Sequence, residues 1–111
     1  MIVEQRTYTT HPGQWRAYLA LYEAKGLAIQ QRILGRMVGY YHCDIGEMNQ
    51  IVHLWAYEDL NERSQRRGQL LADPDFRAYV HEMLPLLQKQ ESRILVPAPF
   101  FQPQWQLPAG Q

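Results

Sequence analysis

The chain has 111 residues, enough for one domain with one core, and 46% of them are apolar. Lys plus Arg number 11 and Asp plus Glu number 11, so the formal net charge is zero, which excludes the broad basic field that nucleic-acid binding needs. The single cysteine, Cys43, excludes an internal disulfide, and no apolar run is long enough to span a membrane. Met1 leads straight into a strand-like run, with no apolar signal or arginine-rich transit segment. The expected setting is therefore the reducing cytoplasm, without membrane insertion.

Residues 2–9 alternate Ile2, Glu4, Arg6 and Tyr8 with Val3, Gln5, Thr7 and Thr9, the pattern of a first strand. His11-Pro12-Gly13 breaks it. Trp15, Tyr18, Leu19 and Tyr22 then recur at helical spacing, in a helix expected to reach about Arg32. Gly26 weakens that helix, and a close approach to a strand would account for it. Gly35 ends it. Met37 to Ile45 reads as the second strand, 46–49 as a turn and Gln50 to Tyr57 as the third strand, together an antiparallel hairpin. Asp59 is an N-cap with Glu62 in capping-box position, opening a helix to about Leu71. Its Arg63, Arg66 and Arg67 read as a solvated face, with an anion or acidic-partner site as the bolder reading. Asp73-Pro74-Asp75 starts another helix, whose buried stripe is Phe76, Tyr79, Val80, Met83, Leu84 and Leu87. Pro85 should kink it or tighten its last turn. Residues 91–96 read as the fourth strand. The domain is placed at 1–100 and a Pro/aromatic tail at 101–111. Phe100 and Phe101 are expected to dock on their own subunit or a partner, since large aromatics are costly to leave in water.

Strand–helix–strand occurs twice, which gives an α+β, ferredoxin-like βαββαβ fold: a four-stranded antiparallel sheet with helices on one face. If Ile45 pairs with Gln50, His42 faces His53 and Tyr40 faces Trp55. One sheet face then carries Tyr40, His42, Asp44, Ile51, His53, Trp55 and Tyr57, joined by Glu4, Arg6, Tyr8, Arg93 and Leu95. The other carries Gly39, Tyr41, Cys43, Ile45, Val52, Leu54 and Ala56. The more apolar second set is assigned to the helices, with Cys43 a small core residue, and the polar-aromatic set to the open face. An open aromatic face of that size calls for a partner, and a second copy would close it.

The stretch Asn49-Gln50-Ile51-Val52-His53-Leu54-Trp55-Ala56-Tyr57-Glu58-Asp59-Leu60 resembles the signature of the NIPSNAP family. Glu4-Gln5-Arg6-Thr7-Tyr8 followed by Pro12-Gly13, Leu34-Gly35-Arg36-Met37-Val38-Gly39-Tyr40, and Gln90-Glu91-Ser92-Arg93-Ile94-Leu95-Val96-Pro97 match it too, in order and spacing. The resemblance spans roughly residues 2–100. One departure is Gln5, where the family usually carries an apolar residue. The resemblance implies a dimeric α/β barrel, in which two ferredoxin-like subunits pair through their sheets. Eukaryotic members carry an added mitochondrial targeting region that this chain lacks, so it resembles a compact bacterial-type member.

Arg6, Tyr8, Tyr40, His42, His53, Trp55 and Glu4 would line a small-molecule pocket between the sheets. His53 titrates near neutrality in its reference state and is the candidate for proton transfer, with Arg6 and Tyr8 orienting an anionic or phenolic substrate. Tyr40, His42, Trp55 and Glu4 are the ligand-binding candidates. The plainer readings are a buried His53 bonded to Glu4 or Tyr40, and an internal Arg6 salt bridge with Glu4 or Asp44. His42, His53 and Glu4 could imitate a two-His-one-carboxylate set, but no ligand spacing announces it and no metal is expected. No phosphate loop, nucleophile elbow or dinucleotide fingerprint is present, and no cofactor is expected. Two readings stay open. One is a cofactor-independent oxygenase- or isomerase-like enzyme. The other is a non-catalytic interaction module whose polar-aromatic face is only a dimer interface.

Overall fold

The computed structural model describes residues 1–108; the last three tail positions, 109–111, lie outside the described residues. Strand β1 (Ile2–Thr10) leads to helices α1 (Trp15–Leu21) and α2 (Leu27–Leu34), joined by a π-helical turn over Tyr22–Gly26. Strands β2 (Arg36–His42) and β3 (Gln50–Tyr57) form a hairpin. Helices α3 (Leu60–Ala72) and α4 (Pro74–Met83) follow, then a 3-10 turn at Leu84–Leu86 and strand β4 (Leu87–Leu95). The sheet order is β2-β3-β1-β4, antiparallel throughout, which is the ferredoxin-like arrangement.

Local signals set the helix ends. The Asp59 carboxylate accepts the Glu62 N–H at 2.8 Å, and the Glu62 side chain reaches back to the Glu58 N–H at 2.9 Å. Asp73 accepts the Phe76 N–H at 2.9 Å, with Pro74 in the first turn of α4. Pro85 sits in the 3-10 turn, so the helix tightens there. Leu87 consequently belongs to β4 rather than to the helix stripe, and β4 begins four residues earlier than the 91–96 run suggested. The close approach at Gly26 is to a helix, not a strand. A Cβ there would lie 2.9 Å from Tyr79 Cζ of α4 and 3.0 Å from Tyr22 Cδ1. That crowding explains the glycine, which closes the π-helical turn.

The hairpin register differs from the simple pairing. Tyr40 lies opposite His53 and His42 opposite Ile51, with an irregularity between Met37 and Gly39. The strands part after Cys43, whose N–H still donates to the Gln50 carbonyl at 2.9 Å, so 44–49 is a longer loop than a tight turn. Ile45 is exposed in it, and the Cys43 thiol donates to the Ile45 carbonyl, so Cys43 is not a core residue.

The larger correction concerns the two faces of the sheet. Glu4, Tyr8, Met37, Ile51, His53, Trp55 and Tyr57 are all buried, and Tyr40 packs on Tyr22 and bonds to Tyr18. The polar-aromatic face lies beneath the protein's own helices. The face left open carries Gln5, Thr7, Tyr41, Val52 and Leu54. Arg93 and Leu95, opposite Gln5 and Val3, belong to it too. The physical reason is volume. A helix layer stands about 10 Å above a sheet, and Trp, Tyr, His and Met fill that gap where Val, Ala and Gly do not.

Candidate functional site

The helix-facing side chains form a continuous aromatic stack. The Tyr22 ring lies on Tyr40 at 4.4 Å between centroids, and Tyr40 lies on His53 at 4.6 Å, with planes within 22° and 20° of parallel. Tyr8 meets His53 edge-on at 4.9 Å. The Tyr18 and Tyr40 hydroxyls are 2.7 Å apart. The π-helical turn begins at Tyr22 and so supplies the outer ring of this stack.

On the outer side of Tyr40 is a cavity of about 540 Å³. Leu19, Tyr22, Leu27 and Gln31 from the first helical layer, Met37 and Tyr40 from β2, and Gln106 and Leu107 from the tail line it. The tail is held there by a backbone bond from Gln106 N–H to the Met37 carbonyl at 2.8 Å. The Arg36 guanidinium lies over the Trp105 ring. Phe100 and Phe101 do not dock on their own subunit: they are 92% and 60% exposed.

On the inner side of Tyr40 is a charged cluster. Glu4 is fully buried, and its Oε2 accepts from Arg6 Nη1 at 2.9 Å, Arg63 Nη2 at 2.8 Å and Ser92 Oγ. Arg6 Nε donates to the Tyr8 hydroxyl at 2.9 Å. Burial alone would raise the Glu4 pKa; the Arg63 and Ser92 bonds and the neighbouring guanidinium charges outweigh it and bring it to about 2. Arg63, Arg66 and Arg67 do not form a solvated face. Arg63 reaches Glu4, Arg66 Nη1 donates to the Ile33 carbonyl at 3.0 Å, and Arg67 is half-buried with its pKa lowered by burial and by the charge of Arg6. Their sequence spacing carried no sign of this, because only the buried carboxylate of Glu4 draws Arg63 inward.

His53 is fully buried, and burial, then the charge of Arg6, push its pKa down to about 3, against the opposing pull of Glu4. The ring is neutral at pH 7. Trp55 Nε1–H donates to His53 Nδ1 at 2.7 Å. An indole N–H can only donate, so Nδ1 carries the lone pair and the ring proton is on Nε2. His53 therefore presents a hydrogen-bond donor, where the sequence suggested a base. Trp55 fixes that tautomer and is buried beside it, not free to stack on a ligand. Nε2 has no partner among the described residues. Neither have Glu4 Oε1, the Tyr57 hydroxyl and Arg63 Nε, all buried.

Of the expected site residues, Glu4, Arg6, Tyr8, Tyr40, His53 and Trp55 come together. His42 does not: it is exposed and stacks on Trp15 at 4.4 Å. Asp44 is likewise exposed in the loop, and Arg6 pairs with Glu4. Tyr57, Arg63 and Arg67 were missed as members. Tyr57 could have been included from its period-two relation to His53 and Trp55.

The topology and its buried aromatic layer define an α+β, ferredoxin-like protein with helices over one sheet face. Residues 3–102 match the model of the NIPSNAP family, and the chain belongs to that family. It is 35% identical over 100 residues to Protein NipSnap homolog 2 of Homo sapiens, covering 86% of this chain and 33% of that protein. It is 33% identical over 99 residues to Protein NipSnap homolog 1 of Danio rerio, covering 86% and 34%. The chain thus spans about a third of the length of these relatives. An uncharacterized NIPSNAP-like domain protein from Burkholderia xenovorans is similar in structure, with a TM-score of 0.89 and 45% identity, covering 95% of this chain and 94% of that one. A NIPSNAP family protein of unknown function from Agrobacterium tumefaciens has a TM-score of 0.88 and 40% identity, covering 91% of each chain. An antibiotic biosynthesis monooxygenase has a TM-score of 0.63 at 16% identity, covering 89% and 100%, and shares the fold alone.

Proposed function

We propose that this chain is a homodimeric small-molecule enzyme of the isomerase- or oxygenase-like kind that works without a bound cofactor. The observation that carries the reading is the position of Tyr40, one side of which walls the 540 Å³ cavity while its ring stacks on buried His53. The cavity has the size of a small-molecule site. It lies between the first helices, β2 and the tail, not between two sheets. A flat substrate body fits against Tyr22, Tyr40 and Leu27. Arg6, Tyr8 and His53 supply donors and positive charge behind it, suited to an oxygen that gains negative charge during reaction. Neutral histidine acting as a donor is a known way of polarising a carbonyl.

Dimer formation is supported by the open sheet face. Val52 and Leu54 lie there beside exposed Tyr41 and Leu95, and this face has no helix to cover it. The interaction-module reading keeps one observation of its own, the exposure of Phe100 and Phe101. Its contact surface would be the tail and the open face, since the polar-aromatic face is buried.

The test is a thermal-shift screen of flat phenols and ketones against the wild type and a Leu27→Trp variant, which fills the cavity. Compounds that stabilise only the wild type are expected, followed by turnover assays on those compounds. A screen in which no compound separates the two proteins overturns the cavity reading.

A further inference from the structure

Five buried side-chain polar atoms have no hydrogen-bond partner among the described residues: His53 Nε2, the Tyr57 hydroxyl, Glu4 Oε1, Arg63 Nε and, apart from these beside Tyr18, the Tyr79 hydroxyl. The first four gather around Glu4, which bonds to Arg63 and whose charge acts on both His53 and Tyr57. Buried polar groups are normally bonded, so four orphans in one cluster mark a built polar site rather than ordinary core. Their chemistry is complementary to a particular ligand. His53 Nε2–H and Arg63 Nε–H can only donate. Glu4 Oε1 can only accept. The Tyr57 hydroxyl can do either. Around them stand three guanidiniums, Arg6, Arg63 and Arg67, and one carboxylate, Glu4, a local surplus of two positive charges. Two of the guanidiniums share Glu4 Oε2, and Arg67 has no ion-pair partner among the described residues. Arg6 and Arg63 are 13% and 27% exposed and Arg67 is half-buried, so this surplus is only partly screened by water and favours an anion beside it.

From this donor and acceptor set we infer that the cluster holds an oxyanion with a hydroxyl on the adjacent carbon, as in an enediolate or a catecholate. The anionic oxygen takes the donors of His53 and Arg63 and the charge of Arg67. The adjacent hydroxyl donates to Glu4 Oε1, and Tyr57 bridges between them. A simple carboxylate matches worse, because in its ionised form it offers Glu4 Oε1 no proton. Tyr40, between this cluster and the cavity, would move aside or carry the ligand's ring edge. The inference rests on the small-molecule reading above and deepens it by naming the substrate class.

The probe is 4-nitrocatechol, a flat vicinal diol whose first ionisation changes its colour. Titrated with the protein at mildly acid pH, it should bind as the monoanion, with its apparent ionisation lowered by about one pH unit, a tenfold preference for the anion. Arg67→Met should abolish that shift and Arg67→Lys should keep most of it. Tyr57→Phe should reduce it while the fold, followed by circular dichroism, stays intact. Binding with an unshifted ionisation, or an equal shift in Arg67→Met, overturns the oxyanion site and leaves the cavity reading standing. If screened phenols bind but 4-nitrocatechol does not, the vicinal-diol class is overturned. If nothing binds, both readings are overturned.

Discussion

The two faces of one sheet divide the chemistry of this protein between them. The helix side packs Trp55, Tyr57, His53, Tyr8 and Ile51 into a closed layer and buries Glu4 within it. The open side carries smaller and simpler residues, Val52, Leu54, Gln5, Thr7 and Tyr41, and no buried charge. Polarity alone would have put the charged face outside. The structure teaches that bulk decides which face receives the helices, and that polar groups follow bulk inward when they can pair. Glu4 enters the core because three donors meet one of its oxygens.

The sharpest way to break this comparison is to remove Glu4. Glu4→Ala leaves Arg6 and Arg63 without their carboxylate in a buried setting, and urea unfolding should show a loss of about 3–5 kcal/mol. A loss below that of a surface pair would mean the cluster is solvated after all. Acid should act through the same face. Burial holds the His53 pKa near 3 against an ordinary 6.5, so its neutral form stabilises the fold above pH 6.5 and that contribution falls away as the pH drops toward 3. Glu4, lowered from 4.5 to about 2, adds a second loss below pH 4.5. Stability against pH should therefore decline in two overlapping stages, and His53→Asn should flatten the upper one. Trp55→Phe keeps most of the ring but leaves His53 Nδ1 without its donor, for an expected loss of about 1–3 kcal/mol by thermal denaturation. On the open face, Leu54→Asp should change monomer stability little and abolish the proposed dimer, read by light scattering. A fully dimeric Leu54→Asp protein would remove the open face from the interface. Two glycines in the helix layer should respond in opposite directions. Gly26→Ala meets the Tyr79 ring and should destabilise by about 1–3 kcal/mol. Gly68→Ala in exposed α3 meets nothing and should stabilise by about 0.4–1 kcal/mol.

The sequence made the element order legible because its punctuation is local. Asp59 and Glu62, Asp73 and Pro74, and Gly35 act within one turn of where they stand, and strand β3 ran from Gln50 to Tyr57 as its alternation indicated. The membership of each sheet face was also readable on β1 and β3, since alternation needs no partner. Which face turned inward was not, because that depends on what the helices bring. Arg63 is drawn to a carboxylate 59 positions earlier in the chain, and Gly26 yields to a ring on another helix. The irregularity between Met37 and Gly39 returned Met37 to the buried side, a change of parity without a local signal. The candidate site was half legible for the same reason. Its strand residues were named from alternation, while its arginines from α3 and the tautomer of His53 depend on contacts distant in sequence.

The wall of the cavity that Gln106 and Leu107 form has a consequence for how such a protein can diversify. That wall hangs on one backbone hydrogen bond to Met37 and lies outside the four-stranded scaffold. Substitutions there can resize the cavity while the sheet, the caps and the buried ion cluster stay as they are. On the proposed small-molecule reading, capacity for new ligands is thereby uncoupled from the risk of unfolding, with selectivity set in a replaceable margin and the proposed chemistry in a fixed interior.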